Sequence, residues 1–204
     1  MTDSIYGGYA DILEKLRTMM EDRINTYTKE VYAETGLKIC EHLIARVKSE
    51  ESMREKCNRK GVPETPESAL KRMRDSIGIR IICPFIDDIY ENVNRLRSFP
   101  DCRVVEEKDY IRHAKPNGYR SYHMILELET DYPDISGNAK GKYFVEVQLR
   151  TIAMDSWAAL EHQMKYKKHI ENQELIVDEL KRCADELASC DVSMQTIRNL
   201  IHQG

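Results

Sequence analysis

Between positions 9 and 33 the apolar residues Tyr9, Ile12, Leu13, Leu16, Met19, Met20, Ile24, Tyr27 and Val31 recur at intervals of three and four on a polar background, which predicts an amphipathic helix. A second helix is predicted over 36–60, opening after Gly36 and closing at Gly61, with Pro63 and Pro66 beyond it. A short helix follows at 67–74. The texture then changes: SIGIRIICPF, residues 76–85, is rich in β-branched side chains and is cut off at Pro84, so it reads as a mostly buried strand. Helical spacing returns over 87–98, and CRVVEEKDY (102–110) and YHMILELET (122–130) read as further strands.

DYPDISGNAKGK (131–142) carries the Gly, Pro, Asp and Asn of a turn and leads into KYFVEVQLR. That strand alternates, with Tyr143, Val145, Val147 and Leu149 on one face and Glu146, Gln148 and Arg150 on the other. A polar face on an interior strand calls for a function. TIAMDSWAALEHQMKYKK (151–168) predicts a helix capped by Thr151. Ile176, Leu180, Cys183, Leu187, Cys190, Met194, Ile197 and Ile201 then repeat in steps of 4 and 3, the period of a packed helix seam. The predicted class is α/β, a mixed sheet of four or five strands with helices before, between and after it.

The chain of 204 residues suits one domain, with helical extensions at 1–35 and 170–204 around a core at about 40–168. With 31 basic against 35 acidic residues the net charge is −4, so any anion site must be local. The six cysteines form no CxxC pair and no Cys/His cluster, which argues against a disulfide framework or a zinc site. The N-terminus does not resemble an export signal and no window approaches a membrane span, so a cytoplasmic protein without a membrane partner is expected.

Three stretches can carry chemistry. In ARVKSEESMREKCNRK, Lys48, Ser52, Lys56 and Arg59 fall on one face if the segment is helical, with Arg46 near its start, and such a stripe suits a polyphosphate. A solvated face neutralised by Glu50, Glu51 and Glu55 explains the same residues. Asp75 precedes one strand and Glu146 lies in another, and two sheet-borne carboxylates can hold Mg²⁺, although each alone reads equally as a capping or ion-paired group. In KPNGYRSYH (115–123), Gly118 permits a sharp turn, Tyr119 is placed to stack a base, and Lys115 and Arg120 are placed to meet phosphates. A hairpin turn whose tyrosine packs on neighbouring strands is the competing reading, and His123 taken singly is as well explained by a structural hydrogen bond.

Taken in order, RVKS, RDSIGIRI, DYIRHAKPNGYRSYH, VEVQLRT and MDSWAALEHQMKYK resemble the synthetase domain of the RelA/SpoT family, in particular its single-domain members, the small alarmone synthetases. The resemblance implies a nucleotidyltransferase-like fold. It also implies pyrophosphoryl transfer from ATP to the 3′-hydroxyl of GDP or GTP, yielding AMP and guanosine tetra- or pentaphosphate.

By residue-wise carry-over, Arg46, Lys48, Ser52, Lys56 and Arg59 are expected on the ATP phosphates, with Arg46 and Arg80 flanking the adenine. Lys115, Tyr119, Arg120, His123, Gln148 and Asp155 are expected around the guanine nucleotide. Asp75 and Glu146 are expected on Mg²⁺, with Glu146 also accepting the proton of the attacking hydroxyl. The sequence has DSIGIR where the family usually shows DIAGIR, Ala114 in place of a common proline, and Asp155 where close relatives often carry Asn. No counterpart of the family's HD hydrolase domain is present, so synthesis without hydrolysis is expected, in a homo-oligomer, by analogy a tetramer built through the terminal helices. Two alternatives stand beside this: the same transfer to tRNA or an adenine nucleotide, and a non-catalytic nucleotide or RNA sensor.

Overall fold

The structure is a computed structural model and describes residues 4–165 and 172–202. Its centre is a five-stranded sheet in the order β1-β2-β5-β4-β3, formed by β1 His42–Val47, β2 Ile77–Cys83, β3 Cys102–Asp109, β4 Tyr122–Glu129 and β5 Lys142–Thr151. β2 and β5 run parallel and the other pairs antiparallel, so the sheet is mixed as the sequence predicts. Alternation sorts its two faces. Ile77, Ile79, Ile81, Met124, Leu126, Val145, Val147 and Leu149 are buried. They face α1 (Ala10–Thr35) and α3 (Ile86–Arg97), whose Leu13, Leu16, Met20, Ile24, Ile89, Val93 and Leu96 complete the core.

The buried polar groups of this layer are paired. Tyr27 donates to Asn92 Oδ1 at 2.6 Å and Asn92 Nδ2 donates to the Ile39 carbonyl at 2.8 Å, which ties α1 and α3 to the approach to β1. The predicted helix over 67–74 is a five-residue π-helical turn, Ser68–Arg72.

One prediction fails. Residues 36–60 are not a single helix: His42–Val47 is edge strand β1, paired antiparallel with β2, and the helix α2 covers only Glu50–Lys60. The alternating exposure of HLIARV fits an edge strand, and Ser49 ends it by capping α2, its Oγ accepting from Ser52 N at 3.3 Å. The supposed single basic stripe therefore comes from two elements.

α4 (Ile152–Lys165) packs on β5 and β2 and on α5 (Gln173–His202), which also reaches α3; residues 166–168 of the predicted 151–168 helix fall outside the described residues. Thr151 caps α4 as expected, accepting from Met154 N at 3.1 Å while donating to Asp191 Oδ2 of α5 at 2.6 Å. The apolar repeat predicted on α5 divides in two within the single chain. Ile176, Leu180, Cys183 and Leu187 are half-buried, whereas Cys190, Met194, Ile197 and Ile201 are exposed. The inward face is carried instead by Ala184, Asp191 and Arg198, the last paired with buried Asp88 of α3 at 2.5 Å.

Candidate active site

The polar face of the sheet follows directly from the register. Gly78 lies opposite Arg46 on one side and Glu146 on the other, Arg80 opposite Gln148, and Gln148 opposite His123, so β1, β2, β5 and β4 present one continuous row of polar groups. Gly78 has open space where a Cβ would stand, and this leaves a bare floor between Arg46 and Glu146.

Two clefts meet over this face. The smaller, about 220 Å³, is lined by Ile44, Arg46, Lys48, Gly78, Arg80 and Gln148 together with Asp75 and Glu146. The larger, about 740 Å³, is lined by Lys56, Lys60, Lys71, Arg72, Lys108 and His123, again with Asp75 and Glu146. The two carboxylates are thus the shared wall. A third hollow of about 750 Å³ between α1 and the far ends of β3 and β4 lies away from this chemistry, beside the ion pairs Arg23–Asp101 and Arg103–Glu127.

Asp75 is buried, and one of its oxygens, Oδ2, is contacted by both Lys48 and Lys56, the latter at 2.6 Å. Its other oxygen, Oδ1, is buried without a hydrogen-bond partner, as is Arg80 Nε; among the described residues these are the buried polar side-chain atoms left unsatisfied. A buried, unpartnered polar atom costs on the order of 1–3 kcal/mol, so two in one cleft mark a place completed by a ligand. Arg80 is also held below its ordinary basicity by burial and by the neighbouring Arg150 and Arg46, which Asp155 only partly offsets.

Across β5 lies a dense network around Tyr119. Its hydroxyl accepts from Arg150 Nη2 at 2.8 Å and lies 2.8 Å from His123 Nε2. Burial, and then the cations of Arg150, Lys115 and Lys108, pull the His123 pKa down to about 3, so the ring is neutral. Arg150 donates to the tyrosine oxygen, the tyrosine hydroxyl is free to donate to Nε2 of the neutral ring, and Nδ1 lies 3.9 Å from Glu146 Oε1. Gln148 donates to Glu146 Oε2 at 3.1 Å and accepts from Arg150 at 3.0 Å. The Lys115 ammonium lies over the rings of Tyr110 and Tyr119, 4.5 and 4.7 Å from their centroids.

The loop that carries Tyr119 is braced from behind. Gly118 has φ +89°, and a Cβ there would come within 2.5 Å of the Ala184 Cβ, so the loop and α5 meet at van der Waals distance only because this residue is glycine. Asn117 donates to Glu161 of α4 at 3.1 Å, and Trp157 packs edge-on to Tyr119 while donating to the Leu180 carbonyl at 2.7 Å.

Arg46, Lys48, Lys56, Asp75, Arg80 and Glu146 therefore converge, Lys115, Tyr119, His123 and Asp155 form the second group, and Gln148, expected with the second group, lines the smaller cleft of the first while bonding Glu146 and Arg150 between the two. Three further residues depart from expectation. Ser52 and Arg59 are exposed on α2 and line neither cleft, although Lys56 between them reaches Asp75. Arg120 reaches the Ala184 carbonyl at 3.4 Å and Asp185 at 3.3 Å, so its guanidinium sits on α5. Sequence reasoning missed Arg150 as a site residue, although its place after Glu146 and Gln148 on the polar face was a usable signal. It also missed Lys60, Lys71 and Arg72, to which no ion pair is assigned among the described residues.

The arrangement is suited to polyanions: cations on both walls, two carboxylates between them, and an aromatic loop opposite a bare sheet floor. Comparison with known proteins agrees. The family model described as "Region found in RelA / SpoT proteins" matches residues 45–171. GTP pyrophosphokinase YwaC of Bacillus subtilis is 43% identical over 158 residues, 78% of this chain and 73% of that protein. The crystal structure of small alarmone synthetase 2 from Bacillus subtilis superposes with a TM-score of 0.78 at 36% identity, covering 92% of this chain and 95% of that one. Small alarmone synthetase 1 from the same organism, bound to its product pppGpp, gives 0.76 at 31% identity, covering 95% and 94%. The chain belongs to the RelA/SpoT family.

Proposed function

We infer that this protein is a (p)ppGpp synthetase, a single synthetase domain that moves the β,γ-pyrophosphoryl group of ATP to the 3′-hydroxyl of GDP or GTP. The 3′-oxygen forms a bond to the β-phosphorus, the bond from that phosphorus to the α,β-bridging oxygen breaks, AMP leaves, and the hydroxyl proton passes to Glu146. The observation that carries this reading is the pair of carboxylates Asp75 and Glu146 shared by two cation-lined clefts, one floored by Gly78, with Asp75 Oδ1 and Arg80 Nε left unpartnered and with His123 standing between Glu146 and the Tyr119 hydroxyl. The naming of the relatives as GTP pyrophosphokinases supports it.

Arg46 and Arg80 would take the donor base and Lys48 and Lys56 its phosphates, the lysines leaving Asp75 as they do so. Tyr119 would stack the acceptor base once Lys115 swings from the ring to the phosphates, with His123 and Gln148 beside the ribose and Asp155 near the base edge. The resemblance places Ser52, Arg59 and Arg120 on phosphates; Ser52 and Arg59 line neither cleft, and the position of Arg120 favours bracing of the loop.

Two carboxylates fit Mg²⁺, which keeps several waters and is usually bound by one or two protein carboxylates plus substrate phosphates. The unpartnered Asp75 Oδ1 is a free ligand atom, and no group of three or more His, Cys, Asp or Glu suited to a more protein-rich site occurs among the described residues. When bound, Mg²⁺ neutralises phosphate charge in the transition state. The protein's own part is to hold both nucleotides in line and to present a proton acceptor.

A homo-oligomer, by analogy a tetramer, is supported by the exposed Met194, Ile197, Leu200 and Ile201 along α5. No described helix is long and apolar enough to cross a membrane, and a cytoplasmic place fits the supply of ATP and GTP.

The test is to incubate the purified protein with Mg²⁺ and ATP labelled in its terminal phosphate, offering GDP, GTP, AMP, ADP or deacylated tRNA as separate acceptors. Label on GDP or GTP with AMP released is the expected outcome. Label only on tRNA or adenine nucleotides reassigns the acceptor, and no transfer at all makes the protein a nucleotide sensor.

A further inference from the structure

The two nucleotide sites share one carboxylate oxygen. Asp155, in the first turn of α4, places Oδ1 3.2 Å from Arg80 Nη1 and 3.0 Å from Arg150 Nη1. Arg80 lines the donor cleft. Arg150 lies beneath the acceptor loop, its other terminal nitrogen bonded to the Tyr119 hydroxyl and to Gln148. We propose that Asp155 is a positioning residue that couples the two sites: a donor nucleotide that engages Arg80 leaves Asp155 wholly to Arg150, which then fixes Tyr119, so each nucleotide tightens the binding of the other. This rests on the guanine-nucleotide acceptor reading above.

The geometry supplies each link. Arg80 lacks an acceptor at Nε, and its side chain is 36% exposed, so it is both under-satisfied and able to shift toward a donor nucleotide. Arg150 is only 6% exposed and cannot turn to solvent. Its Nε reaches Ser121 Oγ at 3.4 Å, and its two terminal nitrogens serve Asp155, Tyr119 and Gln148. In such a site a charge-assisted bond responds strongly to the loss of a competing cation. Arg150 also lies over the Tyr119 ring, 5.3 Å from its centroid, so restraining the guanidinium restrains both the hydroxyl and the plane on which a base would stack. Reciprocity is then required by linkage: whatever factor the donor confers on the acceptor, the acceptor confers on the donor.

A purely structural Asp155, holding α4 to β5, predicts something different. Asp155→Asn retains an acceptor oxygen and nearly the same volume, and would leave the two affinities independent or dependent to the same degree as before.

The experiment is calorimetric titration of the full chain with GDP in the presence of Mg²⁺, with and without saturating α,β-methylene ATP, which binds without transferring pyrophosphate. In the wild type the analogue is expected to lower the GDP dissociation constant about tenfold, within the usual span of coupling between sites. In Asp155→Asn the ratio is expected to fall to within about twofold of one, and Asp155→Glu, which keeps the charge, is expected to restore part of it. A wild-type ratio of one, or an undiminished ratio in Asp155→Asn, overturns the proposal. If the Asn variant does not fold, the wild-type ratio and the Glu variant decide: an unchanged ratio of one in both overturns it. Pyrophosphate transfer to GDP together with a wild-type ratio of one sinks the coupling and leaves the acceptor reading intact, whereas no GDP binding in either condition sinks both.

Discussion

The two sides of the cleft are built on opposite plans. In the cleft proposed for the donor, Lys48 just past an edge strand and Lys56 on a charged helix converge on one oxygen of Asp75, and Asp75 Oδ1 and Arg80 Nε are left unpaired. On the acceptor side, Tyr119, His123, Gln148, Arg150 and Asp155 satisfy one another, and α4 and α5 brace their loop. On the assignment proposed above, the donor side would keep Lys48 and Lys56 on Asp75 until phosphates displace them, while the acceptor side is assembled in advance. Preorganisation favours the site that must present a hydroxyl at a fixed distance and angle; exchangeable ion pairs favour the site that must take up and release a highly charged nucleotide.

Glu146 belongs to both sides, so its replacement should erase the contrast altogether. Glu146→Gln keeps the shape and the Gln148 contact but removes the proton acceptor. Turnover is expected to fall by on the order of 10³-fold, within the range for loss of a general base, with nucleotide binding retained in calorimetry. Turnover within threefold of wild type would break the assigned mechanism.

Gly118→Ala should separate the two sides next. The added methyl meets Ala184 and also places an alanine at φ +89°, so the loop must withdraw from α5. Misplacing a stacking ring that contributes roughly 1–3 kcal/mol is expected to raise the acceptor KM about tenfold or more, with the affinity for ATP in the absence of acceptor unchanged. Equal changes in both constants would show that the brace serves general stability. The opposite separation is expected of Lys56→Met. Removing one of two lysines from Asp75 should raise the ATP KM while strengthening Mg²⁺ binding to the nucleotide-free protein by roughly two- to fivefold, the scale of a partly exposed ion pair. Titration calorimetry with Mg²⁺ alone reads this directly, and weaker Mg²⁺ binding would contradict the account in which the lysines hold Asp75 until phosphates displace them.

The same division explains what could be read in the sequence. Helix α1 and strands β2, β4 and β5 were legible because burial imposes a period of 3.6 or 2 on Leu13–Leu16–Met20 and on Val145–Val147–Leu149. Strand β1 was not, because HLIARV is short, sits on a sheet edge beside a highly charged helix, and owes its conformation to pairing with Ile77–Ile82, which is far away in the chain. The donor lysines were found, but on a false shared helix. On α5 the apolar repeat pointed toward Met194 and Ile201, whereas the contacts to the rest of the chain run through Ala184, Asp191 and Arg198, small or charged residues that a hydrophobic pattern cannot weigh. Arg150 and the bracing role of Arg120 depend on which neighbours the sheet and α5 bring near them, information no local window holds.

The smallest expected effect concerns acidity. His123 has its folded pKa depressed from 6.5 to about 3 by burial and by the cations around it, so the unfolded chain binds a proton that the folded chain refuses. Between those two values the unfolded state holds more protons, and stability must fall as pH falls through that window and be fully present above about 6.5. His123→Gln removes the titrating ring while keeping a polar group near Tyr119. Urea unfolding of wild type and variant between pH 7 and about 4.5 is expected to show a shallower loss of stability in the variant, by up to one proton's worth of slope. Identical slopes would mean that His123 takes up a proton as readily in the folded protein as in the unfolded chain, and the preassembled acceptor side would lose the neutral imidazole on which its hydrogen-bond order depends.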